Sequence, residues 1–369
     1  MKKPRAAMNR LEEETELDDD AAAELDHEIR LGSRGSHRPL RAARSAALAA
    51  ALLLLLLLLL WASGPPRALL YWGATAYVDV KMLAQDAATP AAAAGGDALA
   101  AFVWDEEAEG TVDLRPLAAG RDAYRAQRPF PHVAIDGMVP HELLEKVIEE
   151  LPEGIDERGC AAGSTACYVD PLQKRKTEIA REDHMGPNTR KVFAALRSRP
   201  FITFLEQLTG IEGLHPDPGY EGSGVHLTGT GGYLKIHADF NHLSMSPVWH
   251  RRVNTFIYLN KDWPDSYGGH LELWDRNLTS CVQRIKPDFG RFVAFSTSDF
   301  SFHGHPTPME IPHDRMRRSI AMYYYTRGTR DASECLDNQC ASMHSTLFKE
   351  PQNCVCEAPA CARYLNHTA

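Results

Sequence analysis

Gly231-Gly232-Tyr233-Leu234-Lys235-Ile236-His237-Ala238-Asp239-Phe240-Asn241 is the stretch on which the reading of this chain turns. From Tyr233 to Phe240 its apolar residues alternate with a period of two, which predicts a strand. Residues i and i+2 of a strand share a face, so the His237 imidazole and the Asp239 carboxylate converge on one point. Taken alone, His-x-Asp is a weak motif, because most such tripeptides are incidental surface residues. A third ligand has to come from elsewhere. Ser301-Phe302-His303-Gly304-His305 supplies it, just after a second predicted strand over Phe292–Ser296. Two histidines and one carboxylate on one face of an octahedral ion leave three positions open, the arrangement of non-haem Fe(II) sites.

Further strands are predicted over Val253–Leu259, His270–Trp274 and Ser319–Tyr325, separated by turn signals such as Trp263-Pro264-Asp265 and Tyr267-Gly268-Gly269. In the last of these, Arg317, Ser319, Ala321 and Tyr323 share a face. An arginine on an otherwise apolar face needs an anionic partner, since an unpaired buried guanidinium is very costly. A dicarboxylate held bidentately is one such partner; a structural Arg–Glu pair or a solvated strand end is the plainer reading. Ahead of the strands, Pro129–Asp136 reads as an opening strand and Pro140–Ile148 as an amphipathic helix. Two more helices are predicted over Thr189–Leu196 and Phe201–Leu208, the last ending at Gly210. Short strands at this spacing with helices in front define an α+β domain built on a sandwich or barrel.

These motifs, taken in order, resemble the prolyl 4-hydroxylase-like superfamily of 2-oxoglutarate/Fe(II) dioxygenases. The resemblance runs from Gly231–Asn241 through Arg251–Asn260, Asp262-Trp263, Gly268–Trp274 and Phe302–Pro306 to Arg317-Arg318-Ser319, within residues 128–327. It implies a double-stranded β-helix (jelly-roll) core with supporting helices. It also implies Fe(II) held by His237, Asp239 and His303, with 2-oxoglutarate as co-substrate. Arg317 matches the residue that binds the distal carboxylate of 2-oxoglutarate, Ser319 its second contact, and Tyr258 a tyrosine that donates to the same carboxylate. The plainer role for Tyr258 is core packing with a satisfied hydroxyl. By strand parity Tyr258, Asn254 and Arg252 look inward together; Tyr233 is a weaker candidate for the pocket wall. His305 competes with His303 as the third ligand, and the superfamily pattern favours the first histidine of His-Gly-His. Retention of Asp239 implies hydroxylation rather than halogenation, and L-ascorbate is a further expectation of the resemblance. The implied substrate is a peptide, peptidyl proline foremost. An oxygenase of a small molecule, glycan or lipid, and a catalytically silent jelly roll used for binding, are the alternatives.

Of the 369 residues, 44% are hydrophobic, an ordinary proportion, but unevenly spread. Ala46 to Ala62 carries no charge, and Leu52 to Leu60 are all leucine. Such a run is near the lower limit for crossing a bilayer. Arg30, Arg34, Arg38, Arg41 and Arg44 precede it, whereas Arg67 and Lys81 are the basic residues of a comparable stretch beyond. That bias predicts a single transmembrane signal anchor with a cytosolic N-terminus, a type II membrane protein with its catalytic domain in the lumen of the endoplasmic reticulum or Golgi. A cleaved signal peptide is the competing reading; its n-region would be unusually long and acidic. All eight cysteines follow the run, which suits disulfides in an oxidising compartment. Sequons at Asn277 and Asn366 suit it too. A net charge of −9 provides no basic field for nucleic acid. The expected layout is a disordered tail (1–45), the anchor (46–62), an alanine-rich stem (63–127), the oxygenase domain (128–330) and a cysteine-rich tail (331–369).

Overall fold

Alternation in the strands sorts their side chains between two environments, and this sorting builds the domain. The computed structural model describes residue 82 and residues 96–107, 111–243, 246–328 and 330–351. The apolar run 46–62, the tail 1–45 and Cys354, Cys356 and Cys361 lie outside the described residues. Among the described residues, no helix is long and apolar enough to cross a membrane.

Among the described residues thirteen strands form one sheet, with every pairing between them antiparallel. The strands that matter most are β3 (Gln173–Ile179), β5 (Gly224–Ala238), β7 (Ser246–Tyr258), β8 (Leu271–Trp274), β9 (Cys281–Ile285), β10 (Phe292–Ser296), β11 (His303–His305), β12 (Arg317–Arg327) and β13 (Leu347–Phe348). Led by β1 (His132–Ile135), the order β1-β10-β7-β12-β5-β11-β8-β9 is that of a nearly closed barrel of the jelly-roll kind. Strand β2 (Ala166–Val169) extends it as a hairpin with β3, and the Cys160–Cys167 disulfide closes the segment that leads into that hairpin.

Outward-facing Val225, Leu227, Val253, Ile257, Phe292, Ala294, Ile320, Met322 and Tyr324 join one core with three predicted helices. These are His141–Glu150, Pro187–Leu196 and Arg199–Thr209. The last helix starts at Ser198, whose side chain accepts from the Phe201 amide, and stops at Gly210 at φ 75°. The alternate residues Asn254, Tyr258, Arg317, Ser319 and Tyr323 are buried on the opposite, interior face.

The packed domain reaches further on both sides than 128–330. Helical turns over Gly96–Ala100, Arg115–Ala118 and Arg121–Ala126 precede Arg128, and Leu99, Phe102, Trp104, Leu114 and Tyr124 enter the main core. Trp104 lies against Phe102 and Phe201 with ring centroids 5.2 and 5.6 Å away. These anchors sit at irregular intervals, two of them beside an alanine-rich stretch, so no period betrays them. At the other end Cys335 is buried and disulfide-bonded to Cys340, and β13 joins the sheet. A Trp104→Ala substitution is expected to cost about 3–5 kcal/mol, the usual range for emptying a packed aromatic site. Urea unfolding of the purified protein checks this; a change inside about 0.5 kcal/mol, typical of a surface site, would return residues 96–107 to the status of a stem.

Candidate metal centre

His237 is the last residue but one of β5 and His303 opens β11, and the two strands pair with these residues directly opposite. Their imidazole centroids are 4.4 Å apart. Each ring is fixed by its Nδ1, which lies 2.8 Å from the carbonyl oxygen two residues earlier, Lys235 for His237 and Ser301 for His303. A carbonyl can only accept, so Nδ1 carries the proton in both rings and Nε2 keeps its lone pair. Both Nε2 atoms face Asp239, His237 at 3.6 Å from Oδ1 and His303 at 3.5 Å from Oδ2. The three ligand atoms lie within 4.8 Å of one another, so one ion can touch all three. Burial holds the His303 pKa down to about 4, keeping the ring neutral and able to ligate near neutral pH. Asp239 is raised by burial, but the Arg251 guanidinium and then His303 outweigh this and hold it well below the usual carboxylate range.

Arg251, not Arg252, faces this centre. Along β7 the partners run from Tyr324 opposite Val253 to Tyr325 opposite Arg251, so Arg252 is the extra residue of a bulge. Simple parity fails there, and Arg252 turns outward to Glu334 at 3.3 Å. Arg251 stacks on Tyr323, 3.5 Å from the ring centroid, and stands 3.3 Å from Asp239 Oδ2. Its Nε donates to Asn254 Oδ1 at 2.8 Å, and Asn254 Nδ2 donates to Asp239 Oδ2 at 2.7 Å. One carboxylate oxygen is thus anchored to the protein, leaving Oδ1 for an ion.

A cavity of about 290 Å³ opens from the triad. Arg317, Ser319 and Tyr258 line it, as does His305. Arg317 is buried; its Nε donates to the Gly269 carbonyl at 2.7 Å and its Nη2 to the Tyr258 hydroxyl at 3.4 Å. No carboxylate of the described residues forms an ion pair with it, which leaves a buried cation facing a cavity beside the metal ligands. That is the environment a distal carboxylate would fit. His305 shares the cavity but is not among the three converging residues; burial and then Arg317 keep its pKa well below the ordinary value. Tyr233 turns away, its hydroxyl donating to the Pro171 carbonyl at 3.3 Å, and is not part of the wall.

Sequence reasoning missed several wall residues. Lys176 and Glu178 of β3 form a buried ion pair on the cavity wall, with the Tyr168 hydroxyl donating to Glu178 at 3.1 Å and His226 Nε2 at 3.6 Å. Burial raises the Glu178 pKa, but Lys176 more than reverses this and draws it down to about 2. Their strand, Gln173–Ile179, is rich in charge and carries no motif. Phe348, from beyond the expected domain, lines the cavity as well.

Residues 223–325 match the sequence profile of the 2OG-Fe(II) oxygenase superfamily. That segment, which contains the whole triad and Arg317, is similar in sequence to that superfamily. No curated protein matches the chain. Among solved structures, a prolyl hydroxylase from Trichoplax adhaerens in complex with a hypoxia-inducible factor peptide is 14% identical, with a TM-score of 0.37, covering 57% of this chain and 90% of that one. A prolyl-4-hydroxylase from Pseudomonas putida is 17% identical, with a TM-score of 0.38, covering 57% and 100%. HygX from Streptomyces hygroscopicus, solved with nickel, 2-oxoglutarate and hygromycin B, is 12% identical, with a TM-score of 0.34, covering 53% and 82%.

The bulge makes a prediction that parity does not. Asn254→Ala frees the anchored Asp239 oxygen and is expected to weaken Mn(II) binding by about 10–100-fold, the usual cost of losing a group that orients a ligand. Arg252→Ala is expected to leave that affinity within about twofold, because a partly exposed ion pair away from the ligands contributes little. Titration of the apoprotein with Mn(II), followed by the loss of free-ion paramagnetic resonance, checks both. Equal effects of the two substitutions would contradict the assignment.

Proposed function

We propose that this protein hydroxylates a neutral aliphatic group of a secretory-pathway substrate, peptidyl proline foremost, using Fe(II) and 2-oxoglutarate. The observation that carries this reading is the shared cavity: three converging ligand atoms at one place on its wall, and on another a buried guanidinium with no carboxylate partner among the described residues. His237, Asp239 and His303 would hold the metal, leaving three coordination positions free. Arg317 would grip the far carboxylate of the 2-oxo acid, with Tyr258 donating its hydroxyl and Ser319 offering a further contact. When bound, the metal and co-substrate supply the oxidising chemistry: dioxygen converts 2-oxoglutarate to succinate and carbon dioxide while one oxygen atom enters a substrate C–H bond.

Charge decides what kind of target suits the remaining space. On the cavity wall Asp239, Glu178 and Glu221 balance Arg251, Lys176 and Arg317, and the two charges of the metal match the dianion of 2-oxoglutarate. Lys176 and Glu178 neutralise each other. A charged target would need a counter-ion of its own in a buried space, at a cost of several kcal/mol. An uncharged aliphatic side chain needs none. Disulfides at Cys160–Cys167 and Cys335–Cys340 support a place in an oxidising compartment. The arginine bias around 46–62 supports anchoring in its membrane with the domain on the lumenal side. L-ascorbate as a reductant belongs to the same proposal.

Succinate release from 2-oxoglutarate, measured with Fe(II) in the presence of proline-containing peptides, tests the reading. Wild type is expected to release succinate and add sixteen mass units to a peptide, whereas His237→Ala does neither. Arg317→Ala is expected to raise KM for 2-oxoglutarate by at least about tenfold, as loss of a charge-assisted contact does. Equal release by wild type and His237→Ala would remove catalysis at this centre and leave a jelly roll used for binding.

A further inference from the structure

Strand β5 carries His237, and its two edges are treated differently. One edge pairs with β12 and then with β11. The other pairs with β3 only as far as Leu234, and the Lys235 amide then donates to the Leu172 carbonyl. Past that point the edge beside the metal ligand would stand open. It is instead filled by β13, with Leu347 opposite Ala238 and Phe348 opposite His237. The Lys349 amide donates to the Ile236 carbonyl at 2.9 Å.

This strap is tied down along its length. Asn241, just beyond Asp239, donates through Nδ2 to the Ser342 carbonyl at 2.8 Å and accepts from the His344 amide at 3.0 Å. His344 Nε2 lies 3.1 Å from Asp299. The same carboxylate accepts from Arg330 at 2.6 Å and from the Leu336 amide at 2.8 Å, and the Cys335–Cys340 disulfide closes the turn between. Alternation along the strap then separates its side chains. Leu347 packs with the cluster of Ile236, Ala238, Trp274 and Phe302, while Phe348 lines the cavity with its ring centroid 5.3 Å from that of His237.

We propose that this C-terminal strap is the roof of the substrate chamber, and that Phe348 is a specificity-determining residue limiting the bulk of the group admitted to the open face of the metal. The inference rests on the reading of the cavity as an Fe(II)/2-oxoglutarate site. Strand pairing fixes the backbone of Phe348 beside His237, so a bulky group entering the cavity meets its ring as overpacking. The chamber accordingly takes slim aliphatic groups presented end-on and rejects large rings.

Co(II)-loaded full-length protein tests this without turnover. With N-oxalylglycine, an inert analogue of 2-oxoglutarate, in the co-substrate position, imidazole and 4-phenylimidazole compete for the coordination position left on the metal. The Co(II) visible spectrum reports their binding. Wild type is expected to bind 4-phenylimidazole at least about tenfold more weakly than imidazole, the penalty of modest overpacking. Phe348→Ala is expected to cut that ratio at least about fivefold, with imidazole affinity within about twofold of wild type. Phe348→Leu should fall between them. Lys349→Pro removes the amide that holds the strap to Ile236 while keeping the ring, and it should also cut the ratio. An unchanged ratio in both Phe348→Ala and Lys349→Pro overturns the roof. A different failure, in which N-oxalylglycine leaves the Co(II) spectrum of wild type untouched, removes the underlying site and the roof with it.

Discussion

Three lone pairs must point at one place, and none of them can be spent on a proton. Everything at this centre follows from that requirement. The protein meets it for both histidines by the same device, a Nδ1–H donated to the carbonyl two residues back, at Lys235 and at Ser301. The tautomer is thereby fixed and both Nε2 atoms are turned inward. Because each bond is made to a carbonyl only two residues back, the pairing of β5 with β11 also sets the distance between the rings. Asp239 completes the set, and Asn254 and Arg251 of the bulged β7 hold one of its two oxygens, Oδ2.

The barrel matters as the means of putting a second charge in reach of the first. β12 crosses beside β5, so its interior face delivers Arg317 into the cavity that the triad shares. The opposite face of the same strand, Ile320, Met322 and Tyr324, is locked against the helices. Burial of that face keeps the guanidinium from withdrawing to solvent, and the Gly269 carbonyl and Tyr258 hydroxyl keep it aimed. Stability and co-substrate geometry therefore depend on one strand, read on its two sides.

What the sequence made legible was whatever a period of two could carry. His237 and Asp239 could be placed on one face because the sequence alternates through them, and so could Arg317, Ser319 and Tyr323, because β12 is regular over those residues. The principal helices were legible from a period near 3.6 instead, and the end of the last at Gly210 from the glycine that can take a left-handed turn. Arg251 was not, because one extra residue reverses parity and nothing in Arg251-Arg252 announces it. Phe348 was hidden for a different reason. Its strand is two residues long and lies in a cysteine-rich segment that suggests a tail, and only its partner strand gives it meaning. Lys176 and Glu178 lie on a strand so charged that a solvated face was its natural reading, yet their mutual pairing lets them be buried. Residues 96–126 joined the core through scattered aromatic anchors with no repeat.

Activity at this centre depends on a divalent ion at the meeting point of His237, Asp239 and His303. Anomalous diffraction from crystals grown anaerobically with Mn(II) measures this directly. It should show one strong peak within bonding distance of both Nε2 atoms and an Asp239 oxygen. No peak there, or a peak bound by other side chains while the triad stands apart, would contradict it.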